Sequence, residues 1–105
     1  IIKHNGYKLS ALEIEAMLLS TELVGECAVV GSPDADAGEV VVAIVVPKQQ
    51  GIDEGAFSEE LRQAAKQLMT HYKCPSRYVV LTEPIPRNAM GKVNKKELKR
   101  ALRIE

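Results

Sequence analysis

No apolar run in this 105-residue chain approaches the length a helix needs to cross a bilayer. Net charge is missing as well. Fourteen Lys/Arg offset fourteen Asp/Glu, which removes any global field that would draw the chain to nucleic acid or an anionic membrane. Cysteine is scarce: Cys27 and Cys74 are too few for a disulfide framework and sit at no metal-ligand spacing. Both are expected as buried thiols in a reducing compartment. A signal peptide and an initiating Met are absent too, since residue 1 is Ile and an apolar-basic segment begins at once. We therefore expect the segment to lie inside a longer protein. Internal repeats and low-complexity tracts do not occur. What remains, 46% apolar residues over this length, suffices for one domain with one modest core.

The elements can be read from local chemistry. Ile1 to Lys3 and Tyr7 to Leu9 are short strand-like pieces around His4-Asn5-Gly6, and Asn-Gly is the favoured pair for a type I′ hairpin. Ser10 then caps a helix, with Glu13 three residues on as a capping box, and the helix ends near Ser20. Leu12, Ala16 and Leu19 are its expected inner face. Glu26–Gly31 and Glu39–Val46 are β-branched runs flanking a loop, Ser32–Gly38, and should pair as an antiparallel hairpin. A second loop spans Pro47–Gly55. Ser58 is the expected cap of the next helix, whose stripe Leu61, Ala64, Ala65, Leu68, Met69 and Tyr72 belongs to the core and runs on until Pro75 stops it. Arg77–Thr82 is a third long strand, which Pro84 and Pro86 prevent from continuing. After a loop from Arg87 to Val93, Asn94 and Glu97 form a second capping box. Leu98, Ala101 and Leu102 are the expected inner face of that last helix. The order β-β-α-β-β-α-β-α describes an α+β domain: a small, mostly antiparallel sheet covered by about three helices and preceded by a short hairpin.

Two segments could carry chemistry. Pro86-Arg87-Asn88-Ala89-Met90-Gly91-Lys92 is a polar, glycine-containing loop that holds a lysine just ahead of a capped helix. Gly91 frees the backbone and Lys92 has a long reach. The bland reading is a solvated loop lysine. A Walker loop is excluded by the glycine spacing and by Val93 where a Ser or Thr would stand. In Lys3-His4-Asn5-Gly6-Tyr7-Lys8, lysines on both arms of a hairpin offer a clamp to an anion, and Tyr7 offers a ring for stacking. The bland reading is an ordinary hairpin with solvated charges. His4 and His71 have no partner at a spacing that suggests a ligand or a base, and Glu13 reads as a cap rather than a catalytic acid.

Together, IIKHNGYKLSALEIE, AVVGSPDADAGEVVVAIVV and PRNAMGKVNKKELKRAL resemble, in that order and spacing, the C-terminal domain of the adenylate-forming superfamily of acyl-CoA synthetases, luciferases and peptide synthetases. The resemblance covers essentially the whole chain. It rests on an I-K-x-x-G-Y-K hairpin leading into S-A-L-E-I-E, with P-R-x-x-x-G-K about eighty residues on. GYKLSALEIE and PRNAMGKV are most similar to malonyl-CoA and related short- or medium-chain acyl-CoA synthetases.

The resemblance implies that residues 1–105 are a C-terminal lid, working in two steps with an N-terminal ATP- and acyl-binding domain. A carboxylate attacks the α-phosphate of Mg·ATP, and CoA then displaces AMP. Lys92 matches the family's adenylation lysine. The hairpin with Lys3, Gly6, Tyr7 and Lys8 matches the element that serves CoA. Lys8 and Arg62 would meet nucleotide phosphates, and Mg2+ would be bound by the other domain. The family's pivot, an Asp or Lys, lies just before the position of Ile1, so this chain alone is expected to be inactive. An intracellular enzyme is implied, in cytoplasm or mitochondrion; the final Arg103-Ile104-Glu105 is not a peroxisomal signal. A peptide-synthetase or luciferase-like lid shares these motifs. An alternative of another class is a basic-helix module that uses Lys95, Lys96, Lys99, Arg100 and Arg103 on nucleic acid or acidic lipid.

Overall fold

The computed structural model describes residues 1–105. Strands β1 (Ile2–His4) and β2 (Tyr7–Leu9) are followed by helix α1 (Ala11–Leu19). The long hairpin β3 (Val24–Asp34) and β4 (Gly38–Pro47) comes next, then α2 (Glu54–Leu68), a 3-10 turn over His71–Lys73, β5 (Arg77–Val80) and α3 (Lys95–Ala101). This is the expected α+β order. The five strands form one open sheet with β4 at its centre. β3 runs antiparallel along one edge of β4, while β5 (parallel) and the end of β1 (antiparallel) share the other. The parallel pair follows from the connection, because α2 carries the chain back across the sheet between β4 and β5.

Alternation along β4 sorts the core into two layers. Val41, Ala43 and Val45 face Ile14 and Leu18 of α1 and Phe57, Leu61 and Ala65 of α2. Val42 and Ile44 face the other way, onto Ile85, Leu98 and Ile104. Truncating a residue such as Leu18 or Ile44, both 0% exposed, to Ala should cost roughly 2–5 kcal/mol.

Several boundaries differ from the sequence reading. The inner face of α1 is Ile14 and Leu18, and the expected face points outward, with Leu12 74% and Leu19 45% exposed. α1 is apolar on several sides, so two i,i+4 rows compete and local periodicity cannot choose between them. Asp53, not Ser58, caps α2; its carboxylate accepts the Ala56 N–H at 2.9 Å, and the helix starts a turn earlier than expected. α2 also ends earlier, at Leu68. Met69 is extended, and Tyr72 belongs to the separate 3-10 turn. Of the expected stripe, Leu61, Ala65 and Met69 are buried, whereas Leu68 is 41% exposed. β3 begins at Val24, across a register shift, and continues through Pro33, which an edge strand tolerates because no N–H is needed on its free side. β5 stops at Val80. In α3, Leu98 is buried but Ala101 is exposed, and Ile104 supplies the contact instead.

Each capping box is half formed. Ser10 and Asn94 accept the N–H groups of Glu13 and Glu97, but the glutamates turn elsewhere: Glu13 to Lys73 at 2.8 Å and Glu97 to Arg100 at 3.3 Å.

Candidate functional site

The hairpin forms as read. Asn5 (φ 48°) and Gly6 (φ 83°) both take positive φ, as a type I′ turn requires. The pairs are Ile2 with Leu9, Lys3 with Lys8, and His4 with Tyr7. Ile2 and Leu9 point into the core, so His4 and Tyr7 share their face and Lys3 and Lys8 stand on the reverse. Two ammonium groups directly opposed on a strand pair repel each other, and neither enters any ion pair of the protein. Tyr7 is stacked on Tyr72, which covers one face of its ring. His4 Nδ1 donates to the Glu39 carbonyl at 2.8 Å, an ordinary structural role.

Arg62 lies on α2, its guanidinium 5.2 Å from the ring centroid of Tyr78. With Lys66, His4, His71, Cys74 and Ser76 it lines a cleft of about 490 Å³. No carboxylate lines this cleft, and neither Arg62 nor Lys66 is in an ion pair. Sequence reasoning missed Lys66 and set His71 aside as lacking a partner. Lys66 follows Arg62 by one helical turn and so projects from the same side of α2, but nothing local shows that His4 and His71 close the cleft.

Lys92 is exposed and unpaired. Its loop is closed on itself: the Asn88 side-chain oxygen accepts the N–H groups of Met90 (2.9 Å) and Lys92 (3.0 Å), and Asn88 N–H donates to the Lys92 carbonyl (2.9 Å). Gly91, at φ 80°, makes the turn. Val93 packs against the layer of Leu98 and Ile85. Lys92 therefore stands on the α3 side of the sheet and Arg62 on the α2 side.

The thiols are poor nucleophiles. Cys27 is pushed up to about 12, mainly by burial and then by the nearby Glu15 carboxylate; burial raises Cys74 as well. Both are free; Cys27 is buried as expected, whereas Cys74 is only partly buried. No group of three or more His, Cys, Asp or Glu could hold a metal ion, and no helix is long and apolar enough to cross a membrane. The C-terminal basic residues are partly committed inward. Lys95 donates to the Val29 carbonyl (2.9 Å) and pairs with Glu15 (2.8 Å), and Lys99 donates to the Gly31 carbonyl (2.7 Å). They satisfy the free edge of β3, while Lys96, Arg100 and Arg103 remain exposed.

A hairpin, a cationic cleft and an unpaired loop lysine thus share one small α+β sheet. The chain belongs to the AMP-binding enzyme C-terminal domain family, whose pattern matches residues 13–92. It is 53% identical to a probable CoA ligase of Humulus lupulus, covering 100% of this chain and 18% of that protein. To a malonate–CoA ligase of Arabidopsis thaliana it is 50% identical, covering 97% and 18%. ATP-bound MatB from Rhodopseudomonas palustris superposes with a TM-score of 0.78 at 32% identity, over 94% of this chain and 19% of that one. The chain thus spans 18% of the length of these relatives.

Proposed function

We propose that residues 1–105 are the mobile C-terminal lid of an ATP-dependent acid–thiol ligase, closing over substrates held by a larger N-terminal domain. One observation carries the reading: two unpaired cationic sites, Lys92 and the Arg62–Lys66 cleft, stand on opposite sides of the same sheet. A rigid sheet cannot turn both towards one substrate together. Two successive poses can.

In the first pose Lys92 enters the site. The carboxylate oxygen attacks the α-phosphorus of ATP, the bond to pyrophosphate breaks, and an acyl-adenylate forms. Carboxylate and triphosphate repel each other, and negative charge builds on the α-phosphate oxygens. A fixed ammonium between them offsets that repulsion in a water-poor site. In the second pose the hairpin faces the chemistry while the CoA sulfur attacks the acyl carbon and AMP leaves. Gly6 then lines the path of the pantetheine arm, with Tyr7 beside it. Arg62 with Lys66, on the same side of the sheet as Tyr7, are then cations for the phosphates of CoA or the adenylate. Magnesium is assigned to the N-terminal domain, since this chain has no cluster of ligating side chains. The names of the relatives point to malonate or another small carboxylic acid as acyl substrate.

The test is Lys92→Ala in the full-length protein. Pyrophosphate exchange should fall by about 100-fold or more, while thioester formation from supplied acyl-adenylate survives. Exchange at the wild-type rate would remove Lys92 from the mechanism.

A further inference from the structure

The Lys92 loop is stiff within itself but weakly tied to the rest of the domain. No hydrogen bond from residues 86–93 leaves the loop. One polar tie to the body exists, an ion pair between Arg87 Nη2 and Glu26 Oε1 at 3.6 Å. The same Glu26 oxygen accepts the backbone N–H of Ile85 at 3.3 Å, just upstream. From the other end of its guanidinium, Arg87 Nη1 donates to the carbonyl of Gly91 at 3.1 Å. A continuous path thus runs from Glu26 on β3, through Arg87, to the peptide that joins Gly91 to Lys92. Glu26 has the parity of Ala28 and Val30, whose side chains lie in the layer beneath α3, so it is on the sheet face from which Lys92 projects. Downstream, Lys95 and Lys99 hold α3 to carbonyls of the same strand. β3 is therefore the common base for both ends of the loop.

We propose that Glu26, acting through Arg87, is a positioning residue for Lys92 in adenylation. The proposal rests on the adenylation role of Lys92 given above. An exposed side chain with several rotatable bonds is useful only if the backbone beneath it is fixed, because small misplacements of a charged group are costly to the reaction. Glu26 is well suited to this. It holds the entry of the loop through the Ile85 N–H and directs Arg87 onto the Gly91 carbonyl, and its side chain is 27% exposed. In the thioester pose the loop has left the site, so the relay is not needed.

Glu26→Gln in the full-length protein isolates the charge, because the amide oxygen can still accept the Ile85 N–H. We expect adenylation, read as the kcat of pyrophosphate exchange, to fall about tenfold, with the KM for ATP and the thioester half-reaction within about twofold of wild type. The melting temperature should barely move, since a partly exposed ion pair adds little stability. Adding Glu26→Gln to Arg87→Ala should cause no further loss, because both changes break the same path. Glu13→Gln, which removes the shorter surface pair with Lys73, should change neither half-reaction. The proposal is overturned if Glu26→Gln adenylates at the wild-type rate while Lys92→Ala does not. It is also overturned if both half-reactions and the melting temperature fall together, which marks a structural role. Normal adenylation by Lys92→Ala would instead remove the role of the lysine itself, and the positioning role with it.

Discussion

Tyr7 of β2 and Tyr72 of the 3-10 turn stack with ring centroids 4.1 Å apart and planes inclined by 5°. The contact joins the hairpin tip to the segment that closes the Arg62 cleft, since His71 is the neighbour of Tyr72 and His4 is the strand partner of Tyr7. An aromatic pair of this kind contributes about 0.5–1.5 kcal/mol beyond its buried area. Tyr72→Ala should therefore lower the melting temperature by a few degrees and slow thioester formation while sparing pyrophosphate exchange. Equal losses in the two half-reactions would show that the stack only stabilises the domain.

Gly6 separates conformation from function. A Cβ added there meets nothing within 4 Å, but φ is +83°. Leu at this site is strained by roughly 1 kcal/mol or more without any clash in the lid itself. Asn tolerates positive φ better, so Gly6→Asn keeps the turn while adding bulk on the proposed pantetheine path. The expected result is a nearly unchanged melting temperature, intact adenylation and impaired CoA-dependent turnover, with Gly6→Leu worse on the last count. Wild-type thioester rates in Gly6→Asn would leave Gly6 as a turn residue only.

Stability should decline in strong alkali for a definable reason. Burial raises Cys27 from 9.0 to about 12 and Tyr78 from 10.0 to about 12. Both groups are neutral when protonated, so above their ordinary values the folded chain keeps protons that the unfolded chain has released. The unfolded state then binds fewer protons, and stability falls as pH rises from about 9 towards about 12. The Tyr78 hydroxyl is buried without a hydrogen-bond partner. Tyr78→Phe removes an unsatisfied group and keeps the ring beneath Arg62, so it should be neutral or stabilising by up to about 1 kcal/mol. It should also flatten the alkaline decline. Urea midpoints of the two proteins at pH 8 and pH 11 measure both effects, and a lower midpoint for Tyr78→Phe at pH 8 would mean the hydroxyl is satisfied in solution.

Short-range chemistry was enough to read the Asn5-Gly6 turn, the Ser10 and Asn94 caps, the β3–β4 hairpin and the presence of a loop around Gly91-Lys92. In each case the deciding interaction joins residues close along the chain, or depends on what one residue type permits its own backbone. The same signals failed where alternatives of equal local merit competed. α1 has two apolar rows, and only the packing of Ile14 and Leu18 against β3 and α2 selects one. Asp53 and Ser58 can both cap a helix, and the burial of Phe57 favours the earlier start. The site follows the same division. Lys92, Gly6 and Tyr7 announce themselves by motif, but the Arg62 cleft and the Glu26–Arg87–Gly91 path do not. Glu26 and Arg87 are far apart along the chain, and a carboxylate in a strand carries no local mark of the guanidinium it will meet. The sheet brings them together by closing a long loop, at an entropic cost that the two core layers offset and the ion pair alone could not. Sequence by itself determined which groups are available and how the chain turns around them. Only the tertiary structure decided which face each group occupies, because a face is defined by what packs behind it.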